Sequence, residues 1–461
     1  MARTGYRGDT RHLGTVVGDP DRPRIIAVST SGVFHDDTLV RTFWGTDPSA
    51  IDSGIQGHLY AGPDDIFVVR IPEGTGPSIN LLASALDANA DIWAALTGIR
   101  LATSRSRIVL ASDRARVTSL ALPGTMSWHV GTLTDAAAAQ YTAGHGSLLA
   151  FVLDETTLRP LGPAHDRLTQ QARTTSMLMD KNRAMEILQR NAVPSAQTFA
   201  LTSGADLARS LREIPRVGRY VFKPAGGAAG IGVYRGAGTG ASAGEIGRHV
   251  HGLARSGRLP RRFQVQRFLA GIPHGVSAHI GGDGSVVVLE AHRQVIDPAG
   301  RCMGARWTSA IEWSQQKSAA AIYSRIVAIP GLHPSGLVCL DLIDGRVIEV
   351  NPRLTASAPI AHLLHREAQM ATHRGSEFTI SQIDVHTSVS VPAASMIDGR
   401  LRALVDRILT DYGVLALPQG LNPFGPSRFA FVNDDSAGTA QRLFLRQVDG
   451  LRHASGAGNG S

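Results

Sequence analysis

Short apolar runs rich in β-branched residues mark the first third of the chain. IIAVST (25–30), DIFVVRIP (65–72) and RIVLAS (107–112) are bounded by polar or glycine-rich sequence and predict strands. Between them, residues 80–99 place Leu81, Leu82, Ala85 and Leu86, then Ile92, Trp93 and Leu96, at helical spacing. With SLLAFVLDE (147–155) the pattern predicts an N-terminal α/β domain over 25–165. The stretch 156–172 carries two prolines and little periodicity, so it reads as a linker. Residues 1–24 are polar and glycine-rich without the apolar stretch of a signal peptide, and are expected to form a disordered arm.

A second region, 173–370, opens with TTSMLMDKNRAMEILQRNAVPSAQTFAL, which predicts a helix and then a strand. Ser176 or Asp180 can accept from its free N-terminal amides, Asn191 can close it in the left-handed conformation, and Pro194 enforces extended chain. RYVFKPAGGAAGIGVYRG (219–236) reads as strand, glycine loop and strand; RRFQVQRFLAG (261–271) and GDGSVVVLEAHRQVI (282–296) supply further strands. GLVCLDLIDGRVIEVNPRL (336–354) reads as a hairpin around Asp344 and Gly345. Beyond residue 370 the pattern shifts again, to the strand SVSVPAAS (388–395), the helix GRLRALVDRILTDYG (399–413) and the strand RFAFVND (428–434). These predict a small C-terminal α+β domain over 371–452. The low-complexity tail 453–461 is expected to be disordered. No internal repeat is present.

Composition narrows the class. The 461-residue length suits two or three domains, and 43% hydrophobic with 18% charged residues excludes a disordered chain. No apolar run is long enough for a membrane span, so no membrane partner is expected. Two cysteines, Cys302 and Cys339, stand in different contexts; they offer neither a disulfide framework nor a CxxC metal site, and a reducing cytoplasm fits best. A net charge of +8 nominates a polyanion at first sight. Only three of the basic residues are lysines, however, at Lys181, Lys223 and Lys317, and arginine takes the rest. The arginine bias weakens the case for nucleic acid and turns attention to where the lysines fall.

Lys223 ends a strand and precedes Gly226, Gly227, Gly230 and Gly232, whose backbone amides can approach an anion without Cβ obstruction. This is phosphate-cradle chemistry, but neither the Walker pattern nor the dinucleotide turn, because a strand follows where those motifs begin a helix. In CLDLIDGRVIEVNPR, Glu349 and Asn351 share one strand face. A two-residue loop sends Asp341 to the opposite face, whereas a three-residue loop closed by a bulge brings it to theirs; the sequence leaves both open. Two carboxylates and an amide oxygen are hard ligands suited to Mg²⁺. FQVQRFLAG is a strand whose end could present backbone groups to a purine edge, with Phe268 or Leu269 against the ring.

The order of these elements, a lysine at a helix start, a lysine before a glycine loop, a hinge strand and then Asp…Glu-x-Asn, resembles the ATP-grasp superfamily over about 176–365. The resemblance implies an α+β ATP-grasp core of two subdomains over 173–370, with the glycine loop at 226–232 and the metal hairpin at 337–353. It implies ATP held by Lys181, Lys223 and the glycines, adenine bound along Gln266 to Leu269, and two Mg²⁺ ions on Asp341, Glu349 and Asn351. Arg353 would stabilise an acyl phosphate, as in related carboxylate-amine ligases. Relatives often carry an acid at the place of Gln266 and an arginine at the place of Cys339; Arg306 or Arg293 could supply the missing charge. The preceding α/β domain and the C-terminal domain look like those of the pheganomycin-type peptide ligases. That likeness implies an amino-acid-like carboxylate substrate, a peptide amine acceptor, ADP release and a role in peptide-antibiotic biosynthesis, with a homodimer left open.

Other patterns carry less. His362 and His365 share a helical face without a third ligand nearby and read as packing or surface histidines. HGVSAH (274–279) lacks the second glycine of a nucleophile elbow, and the arginines of 254–263 read as a solvated loop.

Overall fold

The computed structural model describes residues 24–27, 55–70, 79–112, 126–130, 133–142, 147–150, 166–227, 230, 232–296, 302–353, 355, 379–383, 391, 395–396, 398–423, 427, 429–432 and 438–456. The expectations for residues 1–23 and for His362 and His365 lie outside them.

The N-terminal apolar runs form a parallel sheet in the order β4-β3-β2-β1-β5, with β1 Arg24–Ala27, β2 Ile66–Arg70, β3 Arg107–Ser112, β4 Ser127–Val130 and β5 Ser147–Ala150. Helix α1, Ile79–Thr97, follows the predicted periodicity and buries Leu82, Leu86, Ile92 and Trp93. Helix α2 spans Leu133–Thr142. The linker expectation fails over its second half, where helix α3 occupies Asp166–Met179 and buries Ala172 and Leu178. Pro160 and Pro163 stand before that helix rather than within it, so they do not break it.

Helix α4, Lys181–Arg190, is capped by Asp180, whose side chain accepts from the Arg183 amide; its left-handed residue is Ala192 rather than Asn191. Asn191 instead donates its side-chain amide to the Ile187 carbonyl at 2.8 Å. A small antiparallel sheet follows in the order β6-β8-β7, with β6 Thr198–Thr202, β7 Tyr220–Pro224 and β8 Arg262–Arg267. The strand expected after the glycine loop reduces to single bridges, Phe222 with Tyr234 and Tyr220 with Ala241. Helix α5 is Leu207–Glu213. Helix α6, Ala243–Arg255, begins at a capping box in which Ser242 and Glu245 bond each other's backbone amides.

The large sheet runs β13-β12-β9-β10-β11-β14-β16-β15, antiparallel at every pairing. Its strands are β9 His274–Ile280, β10 Val286–Ile296, β11 Cys302–Thr308, β12 Gly336–Ile343, β13 Arg346–Asn351, β14 Thr379–Ile383, β15 Leu415–Pro418 and β16 Phe429–Val432. Helix α7, Ser309–Val327, lays Ala319, Ile322, Tyr323 and Ile326 against the apolar face made by Val276, Ala278, Val338 and Leu340. The other face of those strands carries Ser277, His279 and Asp341 beside Leu337 and Cys339.

Residues after 371 close no sheet of their own among the described residues, because β14 pairs with β11 and extends the large sheet. Helices α8, Arg400–Tyr412, and α9, Thr439–Gly456, pack on this end, and α9 enters the segment expected to be a disordered tail. Trp93 and Ile92 of α1 join the same core, and the Trp93 indole donates to the Pro418 carbonyl at 2.6 Å. The N-terminal and C-terminal segments therefore share one apolar interior. No helix among the described residues is long and apolar enough to cross a membrane.

Candidate active site

The hairpin of β12 and β13 turns through two residues. Asp344 and Gly345 have φ of 48° and 69°, and Ile343 pairs with Arg346. By itself that turn would separate Asp341 from Glu349. The register then shifts, so that Leu342 faces Val347 but Asp341 faces Glu349 directly and Cys339 faces Asn351. Ile348 is the extra residue of a bulge. A two-residue loop and a bulge together thus put Asp341, Glu349 and Asn351 on one face.

The bulge also redirects the Ile348 carbonyl, which accepts from Lys223 Nζ at 3.2 Å and from Gln266 Nε2 at 3.1 Å. Both donors come from the small sheet, where β7 and β8 are neighbours. Lys181 begins α4, where its amide bonds the Ala225 carbonyl, and its Nζ lies 3.4 Å from Glu349 Oε1. Two lysines, each 8% exposed, therefore meet the hairpin at Ile348 and Glu349.

These charges set one another. Burial would raise the Glu349 carboxyl, but Lys181, Lys223 and Arg353 outweigh it and hold it below its usual value. Burial and then the Glu349 charge push Asp341 up to about 7, against His292, Lys223 and Arg353. Burial lowers Lys223, opposed by Glu349 and assisted by Lys181. Two facing carboxylates that cannot both ionise cheaply form a site that a divalent cation would relieve. Asn351 donates to Asp341 Oδ2 at 3.4 Å, and its Oδ1 accepts from Arg353 Nη2 at 3.0 Å. Among the described residues no three His, Cys, Asp or Glu side chains converge on one point, so the donor set is two carboxylates and an amide.

The glycine loop leaves β7 with Gly226 and Gly227. Gly227, Gly230 and Gly232 take φ of 93°, 75° and 70°, where a side chain is strained, and nothing lies within 4 Å of a Cβ built at Gly226 or Gly227. Along the hinge, Gln266 is buried and also donates to Thr198 Oγ1, while Phe268 and Leu269 remain partly exposed. Arg306 is not brought to this face. It pairs with Arg293 across β10 and β11, and that register sends it to the side of the sheet opposite His292 and Trp307.

Sequence reasoning missed the neighbours of the acids on the same face. Glu290 is fully buried and accepts from Ser277 Oγ, Trp307 Nε1 (2.8 Å) and the His292 ring at Nδ1 (2.8 Å). Burial would raise its pKa, yet His292 and these donors lower it, and Glu290 in turn raises His292 against the effect of burial. Gln294 donates to Asp341 Oδ1 at 2.8 Å. The alternation Glu290, His292, Gln294 on one strand face was the available signal. Arg235, beyond the glycine loop, was missed as well.

Residues 178–357 match the family model of the ATP-grasp domain. The chain carries an ATP-grasp domain. Among solved structures, N5-carboxyaminoimidazole synthetase from Staphylococcus aureus, complexed with ADP, superposes with a TM-score of 0.51 at 9% identity, over 83% of this chain and 97% of that one. The ADP complex of an N5-carboxyaminoimidazole ribonucleotide synthetase gives 0.50 at 10% identity, over 85% and 98%. The L-amino acid ligase from Bacillus licheniformis gives 0.45 at 14% identity, over 79% and 95%. At these identities the likeness to the two synthetases reports a fold alone, the mixed α+β ATP-grasp architecture. A comparison with curated proteins gave no match.

Proposed function

We propose that this protein is an ADP-forming carboxylate-amine ligase. A substrate carboxylate attacks the γ-phosphorus of ATP, the bond to ADP breaks and an acyl phosphate forms; an amine then attacks the acyl carbon, an amide bond forms and phosphate leaves. The observation that carries this reading is the meeting of Lys181 and Lys223, both buried, with Glu349 and Ile348 of the acidic hairpin. Phosphoryl transfer is mostly positioning and charge neutralisation, and compact ammonium groups beside paired carboxylates suit it. Asp341, Glu349 and Asn351 are the residues that would hold Mg²⁺, which when bound neutralises charge on the transferring phosphate. Arg353, tied to Asn351, is the cation assigned to the acyl phosphate and its tetrahedral successor. The glycine loop covers the phosphates and limits hydrolysis of the intermediate.

The finer assignment, an amino-acid-like acid joined to a peptide's N-terminal amine in the biosynthesis of a peptide natural product, rests on the sequence resemblance to peptide ligases. Its test is ADP release against a panel of amino acids and related acids, with and without short peptides. ADP release that needs both an acid and a peptide supports it. Release driven by bicarbonate alone would make the protein a carboxylase instead.

A further inference from the structure

Arg235 lies on the segment that leaves the glycine loop. Arg219 pairs with Glu245 and Arg262 with Asp180, but among the described residues no carboxylate pairs with Arg235. It follows the bridge between Phe222 and Tyr234, just beyond the glycine loop, and is only partly exposed. Its guanidinium carbon lies 5.9 Å from the centre of the Phe268 ring on the hinge, within reach of a cation–π contact. Nη2 donates to the Gly238 carbonyl at 3.1 Å, while the buried Nε has no partner. The segment behind it is locked in place, because at Gly240 (φ 81°) an added Cβ would fall 2.7 Å from Phe268 Cβ and 2.8 Å from Arg219 Cβ.

Burial is the first cause of the lowered Lys223 pKa, and the positive charge of Arg235 adds the smallest part of it. Placing a second positive group beside a buried ammonium costs stability unless an anion comes between them. A guanidinium within cation–π reach of an aromatic ring, with donors left over, is suited to bridging phosphate oxygens.

We propose that Arg235 is a nucleotide-binding residue that meets the phosphate chain beside Lys223, with Phe268 holding its guanidinium in place. The inference rests on the ligase reading only in taking the ligand to be a nucleoside triphosphate. Calorimetric titration of wild type, Arg235→Gln and Arg235→Lys with ATP and with adenosine, at one fixed salt concentration, tests it. Loss of a charge-assisted contact predicts about 10- to 100-fold weaker ATP binding in Arg235→Gln, partial recovery in Arg235→Lys and unchanged adenosine binding. Unliganded melting temperatures within error of wild type exclude misfolding as the cause. Unchanged ATP affinity in Arg235→Gln, or equal losses for ATP and adenosine, would overturn the proposal. A wild-type protein that binds no ATP would overturn the ligase reading and this inference together, whereas equal ATP binding by wild type and Arg235→Gln would overturn this inference alone.

Discussion

Gly275 lies on β9 between His292 of β10 and Asp341 of β12, and it is bare for a reason that can be measured. An added Cβ would stand 2.3 Å from both Cε1 and Nε2 of His292, where ordinary contact begins near 3.4 Å. The imidazole therefore lies over the glycine, and Gly275→Ala must push the ring aside by about 1 Å in a close-packed setting. That movement breaks the 2.8 Å bond from His292 to Glu290, a carboxylate with no exposure to water. Losing one donor to a buried charge costs about 2–3 kcal/mol. Urea denaturation of Gly275→Ala should show that loss, and a thermal melt should fall by about 5 °C or more. In a His292→Ala background the clash is gone, so the same substitution should cost less than about 0.5 kcal/mol. An equal cost in both backgrounds, or none in wild type, would refute the placement of His292 over Gly275.

Two pH effects of opposite sign follow from buried groups. His58 donates from Nε2 to the Ala102 carbonyl (2.6 Å) and accepts at Nδ1 from the Asn89 side-chain amide (2.7 Å), and burial lowers its pKa from 6.5 to about 4. The unfolded chain binds that proton first, so stability should fall by up to about 3 kcal/mol as pH drops from 6.5 towards 4; urea melts across that window should be flatter in His58→Gln. Asp341 is raised from 3.8 to about 7, so here the folded state holds the proton and stability should fall as pH rises through that interval. Asp341→Asn should remove this slope, and an unchanged profile would refute the raised pKa that burial and the Glu349 charge give Asp341.

Much of the site was legible in local sequence. Lys181, Lys223 and Glu349 stand out in the sequence by the order of the elements that carry them, and the structure brings Lys181 to Glu349 and Lys223 to the neighbouring Ile348. The place of Asp341 was not legible, because a bulge at Ile348 leaves no mark on a pattern read two residues at a time. Arg306 was named as a replacement for the arginine that relatives carry at the place of Cys339, whereas its face follows from a pairing with Arg293 that only the folded sheet determines. The core that joins Trp93 to Phe431 and Phe444 spans most of the chain length, so domain limits drawn from composition could not anticipate it. Helix α6 was overlooked although Ser242 and Glu245 spell its capping box, and α7 although Ala319, Ile322, Tyr323 and Ile326 share one helical stripe.

On the proposed ligase reading, Lys223 and Lys181 face a nucleotide across the acidic hairpin. Calorimetric binding of MgATP to wild type and to Lys223→Met, each checked for an intact melt, addresses it most directly. Wild type should bind, and Lys223→Met should lose about 10-fold or more in affinity, the worth of one charge-assisted contact. Equal affinity in the two proteins, with the fold intact, would contradict it.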